Sequence, residues 1–231
     1  MDVDGSNMRI LTNMQGYKGM PVFSHSGKKI LFAQAGHIRD SRATRKPVVD
    51  IDLWELDIAT GQLSFFAGPF HFYSAGFTSY FPDDQRILVD AIGEYYNNKN
   101  YKSNAVHIIR RGQMHLDPPL QFPGLENTSN GVLDRSGNMF FEAMVNNKGL
   151  QVLCVTPTQE TKIMPYVHST PGYEGVSSFS NVSVSPDGRY FAGVDIEGYP
   201  YHNESRIMML DTKTNLWKQV ILPQESKQIN K

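Results

Sequence analysis

The sequence has a single cysteine, Cys154, so no disulfide can form within the chain. It sits in the run Val152-Leu153-Cys154-Val155, where a thiol acts as a small buried hydrophobe. No apolar stretch reaches the roughly 20 residues that a membrane-spanning helix needs, so no membrane insertion by helices is expected. The opening Met1-Asp2-Val3-Asp4-Gly5 is acidic and has no apolar core, so the chain as given carries no secretory signal. A neighbouring coding segment could supply one. Charge is also scarce. Lys and Arg number 22 against 23 Asp and Glu, and charged residues total 19%. Without basic excess or a long basic stripe, nucleic acid and anionic membranes are poor partners.

The familiar signatures of chemistry are missing as well. There is no Gly-x-Ser-x-Gly elbow, no His-Glu-x-x-His, no Cys-x-x-Cys, no Gly-Lys-Ser/Thr phosphate loop and no Gly-x-Gly-x-x-Gly. The seven histidines form no i, i+2 or i, i+4 pair. No catalytic residue, metal or cofactor is therefore expected. Asp50 and Asp52 share one strand face. They could bind a cation or act as an acid/base pair, although an Asp opening a strand also bonds backbone. Asn127, Asn181 and Asn203 begin sequons that matter only in a eukaryotic secretory setting.

What the chain does have is turns and aromatics: 19 Gly, 13 Pro and 11% Phe, Trp and Tyr. That mixture fits a β-rich fold, and no segment keeps a helical period. A repeat runs through it. Ser24-His25-Ser26-Gly27, Pro82-Asp83-Asp84-Gln85, Asp134-Arg135-Ser136-Gly137 and Ser185-Pro186-Asp187-Gly188 each separate two strand-like runs. The fourth positions lie 58, 52 and 51 residues apart. Pro presets one φ angle, Asp or Ser bonds nearby backbone, and Gly supplies positive φ, so each tetrapeptide is a hairpin turn. A second turn follows in most units, as in Asp57-Ile58-Ala59-Thr60-Gly61 and Asp211-Thr212-Lys213-Thr214-Asn215. Each unit thus offers four strands, a to d, and a period near 50 reads as propeller blades. Phe23, Ile30, Leu53, Ile87, Val106, Phe140, Phe191 and Ile207 are among the expected core, with Trp54 substantially buried.

These units resemble the TolB-type propeller repeat. Ser185-Pro186-Asp187-Gly188-Arg189 matches its first turn in full, and Asp52-Leu53-Trp54-Glu55-Leu56-Asp57 through Gly61 matches its second half. Units two and three depart from it: Gln85 stands where Gly is usual, and Asp134-Arg135-Ser136 replaces Ser-Pro-Asp. The resemblance covers about residues 2–222. It implies an all-β propeller of about four four-stranded antiparallel blades, near residues 20–67, 74–122, 129–164 and 178–222. Residues 1–19 are then the remnant of a preceding blade, with residues 8–12 as its d strand. The chain would be an arc of a larger propeller, with apolar ends open to self-association.

In an up-and-down blade the b–c connections share one rim. That rim carries the candidate binding residues Arg42, Tyr95, Tyr96, Tyr101, Tyr199, Tyr201 and His202. Such side chains combine contact area with polar tips, though long hairpin loops are often built this way without binding anything. The resemblance implies a noncatalytic protein-binding or scaffolding role in a periplasmic or other extracytoplasmic assembly. It also admits a carbohydrate-active, lyase-like propeller, or the substrate-gating propeller of a peptidase whose catalytic domain lies elsewhere.

Overall fold

The computed structural model describes residues 6–8, 10–35, 48–94, 105–123, 125–145, 149–165, 178–197 and 204–220. The described residues contain strands and turns and no helix. The first blade holds β1 (Tyr17–Phe23), β2 (Lys29–Ala35), β3 (Val48–Asp57) and the first part of β4 (Leu63–Tyr80). The rest of β4 opens the second blade, with β5 (Arg86–Glu94) and β6 (Ala105–Arg110). Because β4 runs on from one blade to the next, these six strands form one antiparallel sheet. The third blade comprises β7 (Leu125–Leu133), β8 (Met139–Val145), β9 (Gly149–Val155) and β10 (Thr161–Pro165). The fourth comprises β11 (Ser178–Val184), β12 (Tyr190–Glu197), β13 (Glu204–Asp211) and β14 (Leu216–Gln219). Each of these two blades is a four-stranded antiparallel sheet in chain order.

The turn chemistry accounts for the hairpins. Gly27, Gly137 and Gly188 adopt φ of +70°, +83° and +69°. Their amides donate to the carbonyls of Ser24, Asp134 and Ser185. In the second blade the equivalent bond runs from Asp84 N to Phe81 O, and Asp84 holds φ of +52°. The left-handed position is therefore Asp84 rather than Gln85, which corrects the register read from the sequence. Asp is among the few non-glycine residues that visit that conformation, and here its carboxylate accepts the amides of His25 and Ser26 from the neighbouring blade. At the second turns, Asp57 accepts the amides of Ala59 and Thr60, and Asp211 accepts those of Lys213 and Thr214. That is the physical content of the repeated Asp.

Alternation along the strands then builds the core between blades. Leu31, Leu53, Ile87, Val89 and Ile109 bury the seam of blades 1 and 2. Leu88, Val106, Phe141 and Leu153 fill the next. Phe140, Val152, Met164, Phe191 and Leu210 fill the last. Each first strand carries a bulge, between Gly19/Val22, Gly76/Thr78, Ser129/Val132 and Ser180/Ser183. Bulges bend a strand and sharpen its twist.

Trp54 is substantially buried, as expected. Three expectations need correction. Phe23 and Ile207 are 64% and 36% exposed, because their faces look away from the stack. Residues 8–12 show no strand where described, and Met8 and Ile10 are exposed. A lone strand has no ladder to join, since β1 pairs with β2. Finally, the second blade lacks a regular fourth strand. Residues 111–123 form no strand: Leu120 N donates to Val106 O in β6, Gly112 and Gln113 bond to Phe66 and Gly68 in β4, and Pro118 and Pro119 in this stretch have no amide to donate.

Candidate functional site

The a–b turns of successive blades touch, which places them on one face. The amide of His25 donates to Asp84 Oδ1 at 2.7 Å, and the amide of Arg135 donates to Pro186 O at 3.0 Å. Gly137 sits against Pro82, so closely that a Cβ would lie 3.4 Å from the ring. Antiparallel order then sends the b–c connections from the opposite face. Their bracketing strand ends are Ala35 and Val48, Glu94 and Ala105, and Glu197 and Glu204. The candidate residues Arg42, Tyr95, Tyr96, Tyr101, Tyr199, Tyr201 and His202 all belong to these connections and lie outside the described residues. In the third blade the connection is only residues 146–148.

The turn face holds an ionic cluster that sequence reasoning missed. Glu55 lies on the β3 face that looks at blade 2, where apolar alternation would place a hydrophobe. Its oxygens accept Arg111 Nη1 and Nη2 at 2.7 Å each, Tyr80 Oη at 2.6 Å and Lys29 Nζ at 3.0 Å. Arg111 also donates to Asp84 O and Gln85 Oε1, with its guanidinium 4.7 Å from the Phe66 ring centre. Burial favours the neutral acid and is the largest single influence on Glu55. The bonds from Arg111, Tyr80 and Lys29 together outweigh it and hold the carboxyl at about 2. The Tyr80 phenol is pushed up by burial first and by Glu55 second. A carboxylate this saturated has no proton to give and no open oxygen for substrate. It locks two blades together. The one signal in the sequence was a charged residue at an inward strand position.

A cleft of about 670 Å³ opens between blades 2 and 3. Phe81, Ile108, Leu120, Phe122, Met139 and Val155 line it, with prolines 82, 123 and 157 and, at its mouth, Asp83 and Arg86. It lies where the irregular last segment of blade 2 meets blade 3. Arg86 donates to Asp83 at 2.7 Å and covers the Phe81 ring at 4.4 Å. The lining offers shape and apolar contact but no paired nucleophile and base.

Other reactive types are held in structural roles. Asp90 on β5 is buried and accepts the amide of Asn130, which has φ of +54° at the bulge of β7. Burial pushes Asp90 up to about 6, against the opposing pull of that amide. Burial likewise raises the Cys154 thiol to about 11, with Asp134 adding to it. That is far from a reactive thiolate. His107 is buried with Nδ1 3.2 Å from Asp117 O. Asp52 stands opposite Gln34 in the ladder, and the Asp50 side chain lies outside the description. Among the described residues no three His, Cys, Asp or Glu gather in a metal-ligating group.

No protein-family model and no curated protein sequence matches the chain. Solved structures do. TolB from Acinetobacter baumannii superposes with a TM-score of 0.58 at 17% identity, covering 90% of this chain and 44% of its own. An oligogalacturonate lyase in complex with manganese gives 0.59 at 14%, covering 91% and 54%. A puromycin-hydrolyzing peptidase of Mycobacterium tuberculosis gives 0.58 at 14%, covering 92% and 30%. The chain thus spans about half or less of each of these proteins. Identities this low speak to fold and not to activity. Stacked antiparallel blades, repeated turn chemistry and these superpositions together make the fold a partial β-propeller, similar to that of TolB.

Proposed function

We propose that the chain is a noncatalytic protein-binding propeller segment of an extracytoplasmic assembly, and that the b–c rim is its binding face. The observation that carries this reading is the common exit of the b–c connections, opposite a turn face that is locked by internal bonds. The side chains in those connections suit recognition: Arg42, Tyr95, Tyr96, Tyr101, Tyr199, Tyr201 and His202. Tyr and Arg dominate interface hot spots because they bury area while keeping hydrogen bonds. The partner is a folded protein with a polar surface, since the chain, at a formal net charge of −1, has no basic excess to select nucleic acid.

The similarity to an oligogalacturonate lyase supports a second reading, an acidic-sugar site. Arg39, Arg42, Arg45 and Lys46 in the first connection would serve it. Similarity to a peptidase supports a third, a gate beside a catalytic domain on a longer chain. One experiment separates the first two. The parent and an Arg42→Ala/Tyr96→Ala/Tyr201→Ala variant are compared for capture of proteins from an envelope extract and for oligogalacturonide binding by calorimetry. Protein capture lost in the variant supports the first reading. Oligogalacturonide binding lost in the variant supports the second. Loss of neither removes the rim as a binding face.

A further inference from the structure

Among the described residues the outer faces of blades 1 and 4 have no neighbouring blade, and strand register shows what those faces are built for. The first pairs beyond the a–b turns are Phe23↔Ile30, Tyr80↔Ile87, Leu133↔Met139 and Val184↔Phe191. In blades 2 to 4 these residues pack against the preceding blade: Tyr80 and Ile87 in the first seam, Met139 and Leu133 in the second, Phe191 and Val184 in the third. Tyr80 is 4% exposed, while Phe23, its register equivalent in blade 1, is 64% exposed. Phe32 and Leu56 on the same outer face are covered within the chain, which leaves Phe23 and Phe65 as its exposed aromatic ends.

The far face follows the same logic. Leu53, Val106, Val152 and Ile207 are equivalent on the third strands, opposite Ala33, Asp90, Glu142 and Val194. The first three meet the following blade and are 2%, 0% and 0% exposed, whereas Ile207 is 36% exposed. Ala192, Val194 and Met209 share its side of the sheet and are half-buried. One end therefore presents the surface that meets a preceding blade, and the other presents the surface that meets a following one.

We propose that these two faces are halves of one interface, closed by a second copy of this chain packed head to tail. Blade 4 of one copy meets blade 1 of its partner and reproduces the seam already formed three times within the chain. A contact between unlike faces either closes or runs on into a filament. Two four-blade arcs can close a ring of eight, within the roughly four to eight blades that propellers adopt. The inference rests on the fold and is independent of the binding rim.

Sedimentation velocity on the purified full chain tests it. The parent should sediment at twice 26.1 kDa at micromolar concentration. Phe23→Lys and Ile207→Lys each spoil one half of the joint by burying a charge, so each alone should be a monomer. Both sites are exposed in the single chain, and an unchanged far-ultraviolet circular dichroism spectrum verifies their folding. Mixing the two variants should restore a dimer, because each still owns the half that the other has lost. A monomeric parent overturns the proposal. So do variants that stay dimeric alone, or a mixture that stays monomeric. Arg42→Ala/Tyr96→Ala/Tyr201→Ala should remain dimeric, which keeps this outcome separate from that of the rim.

Discussion

Arg111 grips Glu55 across the seam between blades 1 and 2, both terminal nitrogens lying 2.7 Å from a carboxylate oxygen. The two residues are 56 apart in sequence, and the Glu55 side chain is 1% exposed. A fork-on-carboxylate pair is strong and directional. Removing Arg111 would leave the buried carboxylate with only Lys29 and Tyr80 as side-chain partners at 3.0 Å or less.

Arg111→Ala should therefore destabilise the chain by about 1.5–3 kcal/mol, the cost of losing charge-assisted hydrogen bonds, read from the urea midpoint. A change within about 0.5 kcal/mol, typical of surface sites, would contradict the assignment. Replacing both partners by apolar residues should cost much less than Arg111→Ala alone. Acid tests the same pair. The folded carboxyl lies below its ordinary value, so its contribution is full above about pH 4.5 and is lost as pH falls toward about 2. The span corresponds to about 3 kcal/mol.

Asp90 works in the opposite sense. Its folded value is raised to about 6 from 3.8, so the unfolded chain ionises first as pH rises. Stability should fall between about pH 4 and about pH 6 and then level off. Asp90→Asn keeps an acceptor for the Asn130 amide and removes the buried charge. Thermal melts should show this variant more stable than the parent near pH 8 by about 1–3 kcal/mol, with the difference shrinking near pH 4. An equal gap at both values would place the effect outside Asp90 ionisation.

Gly27 and Gly188 share almost the same φ, +70° and +69°, but not the same surroundings. A Cβ at Gly27 meets nothing within 4 Å, whereas one at Gly188 would meet Asp134 Oδ2 at 2.3 Å. Asp134 is buried and already holds Ser136 and Asn138, so it has little room to move. Gly27→Ala should cost only the left-handed penalty, about 1–2 kcal/mol. Gly188→Ala should cost about 1–3 kcal/mol more through overpacking. Equal denaturation midpoints for the two would sink this distinction.

Much of this architecture was legible because turns are local. Ser185-Pro186-Asp187-Gly188 encodes its hairpin through bonds no more than five residues apart. Interior faces followed from alternation, as at Ile87 and Phe140. Errors arose where the answer depended on distant partners. Phe23 and Ile207 carry core-type side chains, but burial needs a neighbouring blade. Glu55 has no local sign that Arg111 will meet it. The register slip at Gln85 came from expecting Gly where Asp84 could adopt the turn. The ends of the strands that bracket the b–c connections follow from topology, whereas the candidate residues within those connections lie outside the described residues. Their mutual arrangement could not be read from spacing, because each connection differs in length.

The binding face is tested most directly by titrating the protein partner, once captured and identified, against the parent and Tyr201→Ala in a calorimeter. Truncating a hot-spot aromatic costs about 2 kcal/mol or more, which is roughly a 30-fold rise in Kd. The account predicts that loss with an unchanged melting temperature, because Tyr201 belongs to the connection between β12 and β13 and to none of the strands. An unchanged Kd for Tyr201→Ala, Tyr96→Ala and Arg42→Ala alike would contradict it.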